Sequence, residues 1–295
     1  LTSLSNMLKL ATRAQGLSDQ PSMKTVYIRV PGNVENLTSA RKRVLKVISD
    51  YGEVPFTLKE LSEQAGVSSN VVKALVKTGN LIEVHKPKDV PFPRLDPLLK
   101  RRSLNKVQTQ ACNILVSQVK SAKFSTTLLR GVTGSGKTEV YMEAVAQCLR
   151  QDRQALVLLP EIALTAEFLA RVEVRFGVRP AEWHSGLTVT ERRRTWKMAG
   201  QGGLQMVVGA RSSLFLPFKS LGLIVVDEEH DSSYKQENGV LYNARDMAVL
   251  RASIANATVI LSSATPSLET WNNAEKGKYK KIELTKRVGS ALLPQ

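Results

Sequence analysis

Residues Gly131 to Thr138 read G-V-T-G-S-G-K-T and fit the phosphate-binding pattern G-x-x-x-x-G-K-[ST]. Glycine has no Cβ, so a glycine-rich backbone can curl and turn its N–H groups towards phosphate oxygens. We expect Lys137 to reach the β- and γ-phosphates and Thr138 to bind Mg²⁺. The predicted nucleotide-binding residues of the loop are Gly131, Val132, Thr133, Gly134, Ser135, Gly136, Lys137 and Thr138. The motif therefore predicts a nucleoside triphosphate site with Mg²⁺.

A second group of chemically active residues ends the run L-I-V-V-D-E-E-H at 223–230. Four apolar residues predict a buried strand with carboxylates at its tip. Asp227 is expected to hold Mg²⁺ opposite Thr138. Glu228 is expected to polarise the attacking water as a general base, since phosphoryl transfer needs a positioned nucleophile and charge neutralisation. These catalytic assignments, Glu228 and Lys137, predict hydrolysis.

A third polar segment, S-S-A-T-P at 262–266, follows another apolar run. Small hydroxyl side chains there can sense the γ-phosphate and relay its state to a bound strand. We expect Ser263 and Thr265 to have this role, although serine and threonine turns are common and the motif is weak by itself.

Alternating strand and helix patterns must position these motifs. A short apolar run at 125–130 precedes the glycine loop, and Tyr141, Ala144, Val145 and Cys148 recur at helical spacing after it. Further apolar runs stand at 155–159, 205–208, 222–226 and 258–261, with helical patterns between them. This alternation predicts an α/β fold, a parallel sheet with helices on both faces and ligands at the carboxyl ends of the strands.

Residues 36–90 predict a separate small domain. Thr38 or Ser39, Thr57 and the Ser68–Asn70 segment can begin three short helices, and Leu81–Val84 reads as a strand. This order predicts a winged-helix domain. Its third helix would present Ser69, Asn70, Lys73 and Lys77. DNA contact and protein docking both remain open for that helix.

Composition limits the function classes. The 295 residues carry a formal net charge of +16, which favours a polyanionic partner such as nucleic acid. No apolar run approaches the roughly 20 residues needed to cross a bilayer, so we expect no membrane association. The two cysteines, Cys112 and Cys148, predict neither a disulfide framework nor a zinc site, and the expected location is cytoplasmic.

The motifs G-V-T-G-S-G-K-T, D-E-E-H and S-A-T-P together resemble those of superfamily 2 helicases. Further blocks resemble the primosomal replication-restart helicases of the PriA family within that superfamily. These blocks are L-P-E-I-A-L-T at 159–165, W-H-S-G at 183–186, G-A-R-S-S-L-F at 209–215, D-S-S-Y-K-Q at 231–236, Y-N-A-R-D at 242–246 and S-A-T-P-S-L-E at 263–269. The resemblance covers most of the chain and is tightest between 104 and 287.

The resemblance implies a RecA-like P-loop NTPase lobe at 104–295, a linker at 91–103 and a winged-helix domain at 36–90. It implies an ATP-dependent 3′→5′ DNA helicase that acts in primosome assembly at stalled forks. Its expected partners are forked and single-stranded DNA, single-strand-binding protein and primosome proteins. The alternative is a fork-DNA-binding scaffold that loads replication proteins and whose ATPase is dispensable. Another superfamily 2 translocase is a weaker option.

The resemblance also assigns roles to individual residues. L-N-K-V-Q at 104–108 resembles the adenine-reading motif, so Gln108 is expected to hydrogen-bond the base. Residues 231–246 correspond to an aromatic-rich loop that couples DNA binding to ATP hydrolysis. The residues expected at the DNA or in this coupling are Thr165, Arg211, Tyr234, Lys235, Tyr242, Arg245, Ser263 and Thr265. Tyr234 and Tyr242 can stack on bases or simply pack, and both interpretations remain open.

The chain departs from the family pattern at both ends. Family members continue into a cysteine-rich zinc region and a second motor lobe with arginine fingers, and this sequence stops at Gln295 before either. Zinc is therefore expected only in the missing part. We expect the 295 residues alone to bind ATP–Mg²⁺ weakly, to hydrolyse it poorly and not to unwind DNA. Residues 1–35 are expected to be a remnant of an N-terminal DNA-binding domain or a linker.

Overall fold

The computed structural model describes residues 23–30, 37–51, 55–87, 89–99, 102–237 and 239–287. The described residues up to Val90 form one compact unit, and those from Pro91 onward form a second one. Sequence expectations for residues 1–22 and 31–36 lie outside the described residues. Among the described helices, none is long and apolar enough to span a membrane.

The smaller unit contains two strands and three helices. They are β1 Met23–Arg29, α1 Ser39–Asp50, α2 Leu58–Ala65, α3 Ser69–Lys77 and β2 Leu81–Pro87. Strand β1 pairs antiparallel with β2 along its whole length. The three helices and the strand after them lie where the sequence predicts, and β1 pairs with that strand. The domain boundaries and the winged-helix assignment stay predictions.

Local sequence explains the ends of these helices. The Thr38 side chain caps α1 by accepting from the Arg41 amide. Thr57 and Glu60 form a capping box at the start of α2. Gly66 ends α2 in the left-handed conformation, with φ of 59°. The apolar faces meet in one core made of Tyr27, Val44, Leu45, Ile48, Phe56, Leu61, Ala65, Val72, Leu75 and Leu81.

The larger unit is a seven-stranded parallel sheet between helices. Its first half comprises α4 Lys106–Lys120, β3 Ser125–Gly131, α5 Lys137–Arg150, β4 Gln154–Leu158, α6 Ala166–Phe176, β5 Ala181–Trp183 and α7 Val189–Gln201. Its second half comprises β6 Met206–Gly209, β7 Leu221–Asp227, the short pair β8 Lys235–Gln236 and β9 Tyr242–Asn243, α8 Ala244–Ala255, β10 Thr258–Ser263, α9 Leu268–Glu275 and β11 Lys280–Leu284. The strand order is β11-β3-β10-β7-β4-β6-β5.

Two apolar cores cover the two faces of this sheet, because alternate residues of each strand point to opposite sides. In β4, Ala155 and Val157 pack with α4, α5 and α6. Leu156 and Leu158 of the same strand pack with α7 and α8 on the other face. The predicted parallel sheet with helices on both faces is thus confirmed.

Two strands that the sequence analysis did not predict form the edges of the sheet. Strand β5 has only three residues, and in β11 only Ile282 and Leu284 are buried. Short or one-sided strands give weak apolar runs, so the pattern that marks the five central strands does not mark these. These two strands widen the sheet from the five predicted strands to seven and leave the position of the motifs unchanged.

Candidate active site

The three predicted motifs meet at the carboxyl edge of three adjacent strands. The glycine loop follows β3, the acids follow β7, and the S-A-T-P segment follows β10, which lies between β3 and β7. Because parallel strands end at the same edge, residues from three separate stretches come together there.

The glycine loop is closely fitted to its own side chains. Gly134 and Gly136 have φ of 78° and 81°, in the left-handed region that glycine adopts without strain. A Cβ on Gly131 would stand 2.5 Å from Ser135 Oγ and 3.1 Å from Lys137 Cγ. The absence of a side chain at Gly131 therefore leaves the space that the Ser135 and Lys137 side chains occupy.

The loop also holds polar groups that suit a phosphate. The Lys137 side chain is buried, and its Nζ donates to the Gly131 carbonyl at 2.8 Å. The buried Ser135 Oγ has no hydrogen-bond partner among the described residues. A buried hydroxyl without a partner is costly unless a ligand supplies one. The loop thus fits the triphosphate that its sequence predicts, while Val132 and Thr133 lie exposed at its tip.

Gln108 supports this loop from the start of α4. Its side-chain oxygen accepts from the Asn105 amide, and Asn105 in turn accepts from the Gln108 amide, each at 2.9 Å. Its Nε2 donates to the Ser135 carbonyl at 2.9 Å. A cavity of about 280 Å³ lies beside it, lined also by Leu284 and Arg287. Gln108 is therefore placed against the phosphate loop, and its contact with adenine stays a prediction.

Asp227, the last residue of β7, is held by donors on both carboxylate oxygens. Oδ1 accepts from Ser262 Oγ at 2.7 Å and from the Glu228 amide at 3.1 Å. Oδ2 accepts from the Tyr141 hydroxyl at 2.8 Å. Burial and the charge of Asp227 raise the pKa of Tyr141 well above its usual value, so Tyr141 stays a donor. Sequence analysis placed Tyr141 only on an apolar helix face. A hydroxyl on such a face was the one feature of the sequence that could have indicated a buried polar contact.

Glu228 stands in the turn after β7 with φ of 45°, a conformation that costs free energy outside glycine. Burial and then the neighbouring Asp227 raise the pKa of its carboxyl, while Lys137 and His230 oppose the shift. A raised pKa brings a carboxylate closer to the value that suits a general base. Its side chain remains about 40% exposed, so it can reach a water at the site.

His230 joins this acidic turn to the end of β10. Its Nδ1 is 3.6 Å from Glu228 Oε2 and 2.8 Å from Ser263 Oγ. The buried Ser263 Oγ also accepts from the Thr265 amide at 3.0 Å, whereas the Thr265 side chain is exposed. Ser263 thus links the acidic turn with the segment after β10, and its role as a relay stays a prediction.

Glu229 is a site residue that the sequence analysis missed. Its side chain is fully buried, with Oε1 accepting from the Ser267 amide at 2.8 Å and Oε2 accepting from Thr270 Oγ1 at 2.9 Å. Arg245 Nη1 lies 3.5 Å from Oε2. Its position as the third residue of D-E-E-H was the only feature of the sequence that could have indicated this role. Through these contacts Glu229 connects the acidic turn to the N-terminal ends of α8 and α9.

Tyr234 is not available to stack on bases in this structure. Its ring is 1% exposed, and its hydroxyl lies 2.6 Å from the Asp227 carbonyl and 3.0 Å from the Leu158 carbonyl. Burial and the surrounding carboxylates raise the pKa of Tyr234 well above its usual value. Of the two interpretations left open for Tyr234, packing is the one that the structure shows.

The other residues of the 231–246 segment divide into buried and accessible ones. Arg245 is buried and donates to Asp246 Oδ1 at 2.8 Å. Its role at the DNA or in coupling stays a prediction. Tyr242 is half-buried and packs edge-to-face on Phe215, with ring centroids 5.3 Å apart. Lys235 is exposed, and its Nζ is 3.1 Å from Glu237.

Arg211 and Thr165 complete the predicted set. Arg211 Nη1 donates to the Ser233 carbonyl at 2.9 Å and to the Lys235 carbonyl at 2.8 Å. This arginine therefore fixes the segment that carries Tyr234. Thr165 is exposed and caps α6 by accepting from the Phe168 amide at 3.3 Å. Contact of either residue with DNA stays a prediction.

Comparison with known proteins agrees with this geometry. The family model described as DEAD/DEAH box helicase matches residues 105–274. The chain is 38% identical to the "Replication restart protein PriA" of Chlamydia pneumoniae, over 97% of this chain and 38% of that protein. It is 35% identical to the protein of the same name from Bacillus subtilis strain 168, over 97% of this chain and 34% of that protein. The chain thus spans well under half the length of these relatives.

Two solved structures are similar to this chain at lower identity and with TM-scores below 0.5. RecG bound to a three-way DNA junction is 19% identical, with a TM-score of 0.49, over 88% of this chain and 36% of that one. A hypothetical ATP-dependent RNA helicase from Sulfolobus tokodaii is 18% identical, with a TM-score of 0.45, over 62% of this chain and 53% of that one.

Proposed function

This chain belongs to the DEAD/DEAH box helicase family, and from that premise we propose that it is the ATP-binding lobe of a DNA helicase of replication restart. The observation that carries the proposal is the meeting of Lys137, Asp227 and Glu228 at the carboxyl ends of β3 and β7, the two strands that flank β10. The names of the relatives direct the proposal from helicases in general to replication restart.

The glycine loop binds the triphosphate in this proposal. Backbone N–H groups of the loop and the first turn of α5 present partial positive charge to phosphate oxygens. Lys137 exchanges its hydrogen bond with the Gly131 carbonyl for one with a phosphate, and Ser135 Oγ gains the partner that it lacks among the described residues. Gln108 reads the adenine while holding the Ser135 carbonyl in place.

Thr138 and Asp227 hold the metal, and Glu228 acts as the base. When bound, ATP with Mg²⁺ supplies the phosphoryl group that is transferred to water and the charge that steadies the leaving phosphate. Donors on both oxygens fix the direction of the Asp227 carboxylate. Glu228, half-exposed and with a raised pKa, orients a water and accepts its proton.

The nucleotide state reaches the DNA side through contacts at the carboxyl edge of the sheet. Ser263 contacts His230, and Tyr234 contacts the carbonyl of Asp227. A shift of the acidic turn therefore moves the 231–236 segment, which Arg211 holds at its other side. Forked and single-stranded DNA, single-strand-binding protein and primosome proteins are the proposed partners, with 3′→5′ movement in the cytoplasm.

Nucleotide binding tests the proposal directly. We expect the 295-residue chain to bind a fluorescent ATP analogue with Mg²⁺, and Lys137→Ala to weaken that binding ~10–100-fold, the effect of losing a charge-assisted hydrogen bond. Lys123→Ala is the matched control, because exposed Lys123 precedes β3 at the opposite edge of the sheet. Equal affinity of the wild type and Lys137→Ala would sink the assignment.

A DNA-structure-binding scaffold is the second candidate function, and the exposed face of α3 favours it. Ser69, Asn70, Lys73 and Lys77 are all exposed there, while Val72 and Leu75 fill the core behind them. If this face meets DNA, each lost phosphate contact lowers the salt slope of binding by about 0.9.

Fork binding by the 295-residue chain separates the two candidates. In the scaffold, forked DNA binds equally well to the wild type and to Lys137→Ala, and the double variant of Lys73 and Lys77 to Ala binds less and with a smaller salt slope. Lys59→Ala is the control on the same unit, since Lys59 is exposed and faces Glu63. An unchanged slope in the double variant removes α3 from the DNA contact.

A further inference from the structure

We propose that Tyr141 is a positioning residue of the Mg²⁺ site: its hydroxyl orients the carboxylate of Asp227 towards the metal. This inference rests on the proposed function and adds to it a residue from outside the recognised motifs.

The geometry around Asp227 is the first observation. Tyr141 lies in the first half of α5 and is fully buried, and its hydroxyl donates to Asp227 Oδ2 at 2.8 Å. On the other oxygen, Ser262 Oγ and the Glu228 amide are the donors. Tyr141 is thus the side chain that fixes Oδ2 and leaves the remaining lone pairs of that oxygen in one direction.

The second observation is the position of Tyr141 relative to Thr138, the other predicted metal ligand. Thr138 precedes Tyr141 by three residues on α5, so the two side chains lie on one helix face. The helix that carries Thr138 therefore also carries the hydroxyl that fixes Asp227.

Packing alone does not account for the hydroxyl, because phenylalanine would fill the same space. Tyr234, the other buried tyrosine near the site, contacts the main-chain carbonyls of Asp227 and Leu158 and not a carboxylate. Tyr141 therefore donates to the side chain of a predicted metal ligand, which Tyr234 does not. Groups that hydrogen-bond metal ligands commonly change metal affinity about 10–100-fold when they are lost.

The test compares Tyr141→Phe with Tyr27→Phe. Tyr27 also donates to a carboxylate, Glu83, at 2.9 Å, but it belongs to the smaller unit. Binding of a fluorescent ATP analogue is titrated over a series of Mg²⁺ concentrations, and melting in EDTA shows whether each variant folds. We expect Y141F to raise the Mg²⁺ midpoint about tenfold, with unchanged affinity in EDTA, and Y27F to match the wild type.

Each other outcome overturns the inference. A Y141F midpoint within about twofold of the wild type means that the hydroxyl does not serve the metal site, since loss of such a group costs far more. Failure of Y141F to fold in EDTA means that the hydroxyl serves folding instead. A wild type without any Mg²⁺-dependent binding overturns the proposed function itself, which separates that failure from the failure of Tyr141 alone.

Discussion

Replacing Glu229 by Gln should destabilise the larger unit by about 3 kcal/mol, because Glu229 is a fully buried carboxylate whose donors come from two other elements. The Ser267 amide, Ser267 Oγ and Thr270 Oγ1 donate to it at 2.8, 3.0 and 2.9 Å. The substitution keeps the shape of the side chain and removes its charge. It therefore tests the network and not the packing.

The magnitude follows from which contacts survive. Glutamine keeps one acceptor oxygen, so the contact with the Ser267 amide can persist, while its NH₂ group faces donors at Thr270 and Arg245. A hydrogen bond to a charged group contributes about 1.5–3 kcal/mol. Arg245 keeps Asp246 at 2.8 Å, so it is not left as an isolated buried charge. The expected loss therefore lies at the low end of the ~3–5 kcal/mol seen when a buried pair is broken.

Urea unfolding followed by tryptophan fluorescence measures this loss. Trp183, Trp196 and Trp271 all lie in the larger unit, and the sequence has three tryptophans, so the signal reports that unit alone. If the slope of the unfolding free energy against urea concentration is unchanged, the substitution acts on stability and not on the compactness of the unfolded chain.

The matched control is Glu283→Gln. Glu283 pairs with Arg130 at 3.2 Å, but both side chains are well exposed, so its loss should cost no more than about 1 kcal/mol. A Glu229→Gln variant that loses no more than Glu283→Gln does would refute the reasoning, because a buried network would then contribute no more than an exposed ion pair.

Three further predictions concern other parts of the larger unit. Burial and Asp227 raise the pKa of Glu228 above its usual 4.5, so the folded state binds that proton more tightly than the unfolded state and stability falls as pH rises through the raised pKa. Glu228→Gln should then be more stable than the wild type at neutral pH, with the difference disappearing below pH 4.5 in urea titrations. Gly131→Ala should abolish saturable binding of the ATP analogue, since its Cβ would stand 2.5 Å from Ser135 Oγ; saturation as in the wild type would contradict the closeness of the loop. Cys148 is fully buried, and burial raises its pKa to about 12, so mass spectrometry should find it alkylated by iodoacetamide only after unfolding.

The central part of the fold could be predicted from the sequence because its signals are local. The strands buried on both faces are continuous apolar runs, and the loop between β3 and α5 carries glycines where positive φ is needed. Helix caps such as Thr57 are set by residues three positions apart. Strands β5 and β11 escaped prediction because an edge strand buries one face and offers few apolar residues.

The contacts of polar side chains depended on the tertiary structure. The sequence alone placed Asp227 and Glu228 at the end of a strand, because acids that directly follow a buried apolar run lie where that strand ends. Only the tertiary structure shows that Ser262 and Tyr141 donate hydrogen bonds to Asp227. It also shows that the side chains of Tyr234 and Arg245 are buried. These partners are far apart in the chain, and whether a polar group is buried with a partner or left in water depends on which distant segment lies against it. The motif thus determined the chemistry, and the packing around it determined which residues hold that chemistry in place.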